Sequence, residues 1–79
     1  MNTTNYDLDT EEGMRNSVEW TRNHFNQIKQ GGVWLVPRSG SVLLIDHKNK
    51  GVHCTDRKAP DPSIKRVVEA MGWTYHDHV

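Results

Sequence analysis

Five histidines and one cysteine are the residues of this chain best suited to metal binding or catalysis. His53 and Cys54 are adjacent, and two further imidazoles flank the acid in His76-Asp77-His78. A structural zinc ion takes four ligands, usually from two pairs of residues that are each spaced two to five positions apart. The chain has no second pair to complement its single cysteine. We therefore predict no metal site and no cofactor.

The other arrangements that support catalysis are missing from the sequence. Neighbouring residues of a strand point to opposite faces, so His53 and Cys54 cannot act together as base and nucleophile. Ser39 and Ser41 lack the strand–turn–helix surroundings of a nucleophile elbow, and no glycine-rich loop opens a helix after a strand. We predict that the protein is not an enzyme and that it works by binding.

Tryptophans and clustered cations are the residues that favour such a binding role. Trp20 falls to one side of the apolar stripe of the first predicted helix, and tryptophan is enriched at the buried centres of interfaces. Trp34 lies in a predicted strand, Arg38 at the tip of the hairpin that follows, and Lys48 and Lys50 in the next turn. The alternative interpretation makes both tryptophans core residues and the cations ordinary solvated residues.

Acidic and basic residues are separated along the chain although the formal net charge is zero. Four acids and no base lie in the first 12 residues, whereas seven bases and three acids lie between residues 38 and 66. Such a separation suits a partner-binding face, a face for nucleic acid or ordinary solvation. The candidate partner-binding residues are Asp7, Asp9, Glu11, Glu12, Trp20, Trp34, Arg38, Lys48 and Lys50.

A first helix is predicted to begin at Asp9, whose pairing with Glu12 three residues later resembles a capping box. Its apolar face repeats every three or four positions and consists of Met14, Val18, Thr21, Phe25 and Ile28. Gly31 and Gly32 end the helix, because glycine accepts the left-handed conformation common after a helix C-terminus. Residues 1–8 have no apolar period, and we expect them to form a flexible acidic arm.

Three strands are predicted next, at 33–36, 41–46 and 52–55. Residues 42–45 are apolar on both faces, which makes the second strand central, whereas the third is short and polar enough for an edge. Alternation directs Trp34 and Val36 to one face of the first strand and Val33 and Leu35 to the other. Two helices can cover only one face of the sheet, so we expect one pair to stay partly exposed. If that pair is Trp34 and Val36, the open face is an apolar patch of the kind that marks binding sites.

A second helix is predicted over residues 62–72, with Asp61 as its N-cap and Pro62 at the first helical position. Its apolar residues form a core-facing stripe. Trp73 and Tyr75 are expected to fold back onto the core or the sheet, and residues 76–79 to form a flexible tail. The expected core consists of Met14, Val18, Phe25, Ile28, Val33, Leu35, Leu43 and Ile45, with a second cluster of Ile64, Val67, Val68 and Met71.

These elements predict one α+β domain over residues 9–79, in the order α-β-β-β-α. The sheet is a three-stranded antiparallel meander with one helix packed on it, and the C-terminal helix docks loosely. A chain of 79 residues suffices for one domain only. It lacks an apolar run of about 18 residues, and its single cysteine excludes the internal disulfides common in small secreted domains. We expect a monomer in the cytoplasm, with no membrane contact.

The chain has an acidic segment near its start, Asp7-Leu8-Asp9-Thr10-Glu11-Glu12. A short helix, a hairpin block and an amphipathic end follow it, and the hairpin block consists of Gly32-Val33-Trp34-Leu35-Val36-Pro37-Arg38-Ser39-Gly40. In this organisation the chain resembles the small early proteins of tailed bacteriophages, in particular the compact inhibitors that bind host RNA polymerase. The resemblance implies a non-catalytic regulator that occupies a surface of the polymerase or of a sigma factor and inhibits transcription initiation.

Two alternatives remain open at this point. A sequence-tolerant nucleic-acid-binding protein would use the basic hairpin together with Trp34, although zero net charge and an acidic arm disfavour binding to phosphates. Anti-restriction and anti-CRISPR proteins of bacteriophages have the same size and organisation.

Overall fold

The structure is a computed structural model, and it describes residues 3–36, 40–55 and 62–76. Two helices and four strands follow one another along the chain: α1 (Glu11–Asn26), β1 (Val33–Leu35), β2 (Val42–Asp46), β3 (Gly51–Cys54), α2 (Pro62–Ala70) and β4 (Thr74–His76). The predicted α+β class is confirmed. The predicted N-cap Asp61 and the tail residues 77–79 lie outside the described residues.

The four strands form one mixed sheet in the order β1-β2-β3-β4. β1, β2 and β3 pair antiparallel as the predicted meander, and β4 adds a parallel strand beside β3. The prediction that the third strand is an edge is therefore wrong, and so is the assignment of His76 to a flexible tail. Parallel neighbours need a crossover connection, and α2 lies in that connection.

Helix α1 begins one residue later than predicted, because Thr10 and not Asp9 is its N-cap. The Thr10 hydroxyl accepts a hydrogen bond from the Gly13 amide at 3.0 Å, which satisfies one of the free N–H groups of the first turn. The helix ends at Asn26. Gly31 follows with a φ of 78°, in the left-handed region that glycine accepts at low cost.

The buried face of α1 carries small side chains along most of its length. Its buried residues are Gly13, Ser17, Thr21 and Phe25, whereas the predicted core residues Met14, Val18 and Ile28 are only half-buried and pack against the core.

Trp34 of β1 packs beside the rings of Phe25 and His24 on α1. Its ring centroid lies 5.7 Å from that of Phe25 and 4.9 Å from that of His24. Because Trp34 and Val36 face the helices, alternation turns Val33 and Leu35 away from them, and the prediction that these two residues belong to the core is wrong.

The core is one cluster and not two. Leu43, Ile45 and Val52 from the sheet are buried together with Val67, Val68 and Met71, and Tyr75 from β4 completes the cluster. Ile64 and Trp73 are half-buried at its border. Helix α2 is therefore packed on the same core as α1, and Tyr75 folds back onto it as expected.

Candidate functional site

The face of the sheet that points away from both helices carries two rows of aligned side chains. In the first row, Leu35 lies opposite Val42. In the second row, Val33 of β1 lies opposite Leu44 of β2, and Leu44 lies opposite His53 of β3. His76 of β4 lies beside His53 and ends the row. Residues directly opposite one another project from the same side of a sheet. We call this surface the outer face: Val33, Leu35, Val42, Leu44, His53 and His76.

The aliphatic part of the outer face is open to solvent. Val33 is 59% exposed and Leu35 is 62% exposed, while Val42 and Leu44 beside them are half-buried. The helices cannot cover these residues, because they pack on the opposite side against Trp34 and its neighbours. Four contiguous aliphatic side chains therefore form an apolar surface patch, a feature typical of interaction sites.

Two stacked imidazoles border this patch on the β3–β4 side. The rings of His53 and His76 lie 4.2 Å apart between centroids and are inclined by only 6°. Gly51 provides space for this arrangement, since a Cβ atom at that position would lie 3.3 Å from the His76 ring. The flat faces of the two rings therefore extend the aliphatic patch across β3 and β4.

The turn after β2 is held by a network of amides around one carboxylate. The Asp46 carboxylate accepts hydrogen bonds from the Gln30 side chain at 2.7 Å and from the Asn49 side chain at 2.8 Å. These bonds favour the charged form, and the Gln30 bond foremost lowers the pKa of Asp46 from 3.8 to about 2. Gln30 also accepts from the Lys48 amide at 2.9 Å. The turn is thereby fixed to the segment that leads from α1 into β1.

A second surface feature is a groove on the helix side of the molecule, which we call the aromatic groove. Its volume is about 380 Å³, and its lining is mainly apolar: Tyr6, Leu8, Ser17, Trp20, Thr21, Trp34, Ile64 and Val67. Trp20 is 48% exposed at its rim and stacks on His24, with ring centroids 5.0 Å apart. Trp34 is 9% exposed and belongs to the core. The structure thus removes Trp34 from the surface contacts and leaves Trp20 available.

The acidic segment lies across α1 and is tied to α2. Asn16 donates to the Asn5 carbonyl at 3.0 Å, and the Gly13 position approaches the Asp7 backbone closely. The Arg66 guanidinium donates to the Leu8 carbonyl at 3.0 Å and to the Asp9 carboxylate at 3.3 Å. Residues 3–8 thus pack on the domain. The expected flexibility of residues 1–8 stays a prediction.

The remaining predicted contact residues lie in separate places. Asp7, Glu11 and Glu12 are exposed near the start of α1, and Asp9 beside them is engaged by Arg66. Lys48 and Lys50 are exposed in the turn between β2 and β3. Arg38 lies outside the described residues. The structure does not gather these residues, with Trp20, into one surface.

Part of the outer face has a signal in the sequence. The alternation of β1 predicts that Val33 and Leu35 share one face, but it does not decide whether this pair or the pair of Trp34 and Val36 turns away from the helices. The pairing of His53 with His76 had no sequence signal, because it depends on a parallel strand pair that α2 brings together.

Within the described ranges, no three histidine, cysteine or acidic side chains come close enough to hold a metal ion. Nor does any described helix combine the length and apolar character that crossing a bilayer requires. Comparison with models of known protein families, with curated proteins and with solved structures finds no match for this chain.

Proposed function

We propose that this chain is a non-catalytic regulator that binds a protein partner through its outer face. The observation that supports the proposal is the exposure of Val33 and Leu35 beside the half-buried Val42 and Leu44. Burying an aliphatic side chain of this size contributes about 1.5–3 kcal/mol. A partner with a complementary apolar surface would therefore gain most of its binding energy from this patch.

The chemistry of the outer face favours a protein over a nucleic acid as its partner. Affinity for nucleic acid depends on lysine and arginine contacts to phosphates. Neither of the two rows contains a lysine or an arginine among the described residues, and β2 ends on this face at the acidic residue Asp46. Apolar residues at the centre with polar residues at the rim are typical of protein interfaces.

Bacterial RNA polymerase is the partner that we propose, because the organisation of the chain resembles that of phage inhibitors of this enzyme. The outer face would bind an apolar surface of the polymerase or of a sigma factor in the cytoplasm of the host. The exposed acids Asp7, Glu11 and Glu12 lie near the start of α1, away from the outer face, and would act only through long-range attraction to basic groups of the partner, which increases the association rate.

A methyl-labelled sample of the protein, titrated with purified bacterial RNA polymerase with and without sigma factor, tests the proposal. We expect the methyl signals of Val33, Leu35, Val42 and Leu44 to lose intensity first. The methyl signals of the buried Val68 should lose only the intensity that all signals lose when a large complex forms. Absence of any intensity loss would contradict the choice of polymerase. Loss restricted to residues of the aromatic groove would contradict the choice of the outer face.

The variant Leu35→Lys tests the same surface by affinity. We expect it to weaken binding roughly tenfold or more, equivalent to about 1.4 kcal/mol, because a charge would enter an apolar contact. Gln27→Lys is the matched control, since it adds the same charge at another exposed position. Both variants should keep the wild-type melting temperature. Equal affinity of the two variants, or binding that disappears after nuclease treatment, would overturn the proposal.

A further inference from the structure

A cleft on the helix side of the sheet gathers two cations around an indole. It is lined by Arg22, Asn26, Lys50, Met71 and Trp73 and has a volume of about 350 Å³. We call it the basic cleft. Its volume lies at the lower end of the range for small-molecule sites. None of its lining residues belongs to the outer face, so its function is separate from the one proposed above.

The guanidinium group of Arg22 is held in the cleft by the end of α2. One of its terminal nitrogens donates to the Met71 carbonyl at 3.1 Å. A guanidinium group has five N–H donors, and this hydrogen bond is its single contact of that kind within the described residues. The bond fixes the group in position and leaves most of its donors for a ligand.

The backbone of Lys50 is fixed on the other side of the cleft. Its φ is 53°, and its carbonyl accepts a hydrogen bond from the Thr74 amide at 3.0 Å. The Lys50 ammonium lies 6.0 Å from the centroid of the Trp73 ring. Phe25 packs against Trp73, with ring centroids 5.3 Å apart, and helps to position the indole.

No carboxylate neutralises these two cations in the part of the chain that the structure describes. The ion pair found there joins Arg66 to Asp9. Asp46, the acid at the start of the turn that carries Lys50, is engaged by the neutral amides of Gln30 and Asn49. A guanidinium and an ammonium that share a cleft without a counter-charge attract an anion.

We propose that the basic cleft binds the phosphate group of a nucleotide. Arginine presents parallel N–H groups that match phosphate oxygens, and lysine adds a point charge. The Asn26 amide supplies a further neutral donor, while Trp73 and Met71 form an apolar wall for a planar base. The phosphate comes from a free mononucleotide or from one unit of a single strand, and the experiment separates these two sources.

The test is a titration of ¹⁵N-labelled protein at low salt with inorganic phosphate, with AMP and with an octamer of uridine, in separate samples. The indole N–H signals of Trp20, Trp34 and Trp73 report on three different environments in one spectrum. We expect AMP or the octamer to shift the Trp73 signal and to leave the other two unchanged. Saturation by AMP identifies a free nucleotide, and saturation by the octamer alone identifies a strand.

Two substitutions in the turn between β2 and β3 test whether binding depends on the charge of Lys50. Lys50→Asn removes the cation of the cleft and keeps a residue type that tolerates positive φ. Lys48→Gln removes a cation from the same turn outside the cleft. We expect Lys50→Asn to raise the Kd roughly tenfold and Lys48→Gln to change it less than twofold, a contrast expected when one phosphate contact is lost. Equal effects of both variants, or no shift of the Trp73 signal with any of the three probes at millimolar concentration, would overturn the proposal.

Discussion

Gly13 determines where the acidic segment lies on the domain. A Cβ atom at this position would overlap with the Asp7 carbonyl oxygen. The absence of a side chain therefore lets the segment cross the first turn of α1. This close approach also explains a glycine in a helix, where it costs about 1 kcal/mol relative to alanine.

Gly13→Ala should consequently destabilise the protein although helix propensity alone predicts the opposite. We expect a loss of about 1–3 kcal/mol, the usual cost of forcing extra atoms into packed structure, as the Asp7 backbone is displaced. Urea unfolding of the variant measures this loss. Glu12→Ala, an exposed change in the same turn, serves as the control. A higher stability of Gly13→Ala would contradict the packing of the segment on α1.

Asp46 makes the stability of the protein depend on pH in the acidic range. Its pKa falls from 3.8 to about 2 in the folded state, chiefly through the Gln30 hydrogen bond. Its contribution is therefore fully present above pH 3.8 and is lost as the pH falls towards 2.

Asp46→Asn should remove this part of the acid sensitivity. We expect the variant to be less stable than the wild type near neutral pH and to lose less stability between pH 4 and pH 2. Chemical denaturation at a series of pH values measures both quantities. Glu12→Gln provides the comparison with an exposed acid. Parallel pH profiles for wild type and Asp46→Asn would show that the network around Asp46 does not depend on its charge.

Helix α2 connects two parallel strands and contributes to the common core. Val68 is fully buried in the cluster that also contains Leu43 and Ile45. The contribution of α2 to the stability of the domain can therefore be measured by shortening the Val68 side chain.

Val68→Ala should destabilise the whole domain by about 2 kcal/mol, from lost burial and the cavity that remains. Glu69→Ala, at the adjacent exposed position, should change the stability by less than about 0.5 kcal/mol. Unfolding followed by circular dichroism and by tryptophan fluorescence should give coincident transitions for Val68→Ala. Separate transitions would show that α2 unfolds independently of the sheet.

The elements differ in how far the sequence predicts them. Periodicity was sufficient for α1 and α2, and alternation with turn residues was sufficient for the antiparallel meander. Strand β4 was missed because Thr74, Tyr75 and His76 are too few to form a pattern and pair with residues more than 20 positions earlier.

The outward direction of Val33 and Leu35 was missed because both faces of β1 are apolar. Trp34 packs on the inner side against Phe25 and His24 of α1, and contacts between separate elements cannot be predicted from alternation alone.

For the whole molecule, the sheet separates two surfaces of different chemistry. The outer face is aliphatic with an imidazole border, whereas the helix side presents the aromatic groove and the basic cleft. Sequence patterns identified the residue types of these surfaces but did not predict their grouping. Lys50 illustrates the reason: the sequence places it beside Lys48, and the fold places it with Arg22 and Trp73.

The bond between Arg66 and the Leu8 carbonyl joins residues 58 positions apart. Closing a loop of this length costs chain entropy, and we expect this exposed contact to form after the transition state of folding. Interactions that are absent from the transition state slow unfolding and leave the folding rate unchanged. We therefore expect the hydrogen bonds between Arg66 and the acidic segment to slow unfolding and to leave the folding rate nearly unchanged, which the two rates of Arg66→Gln would measure.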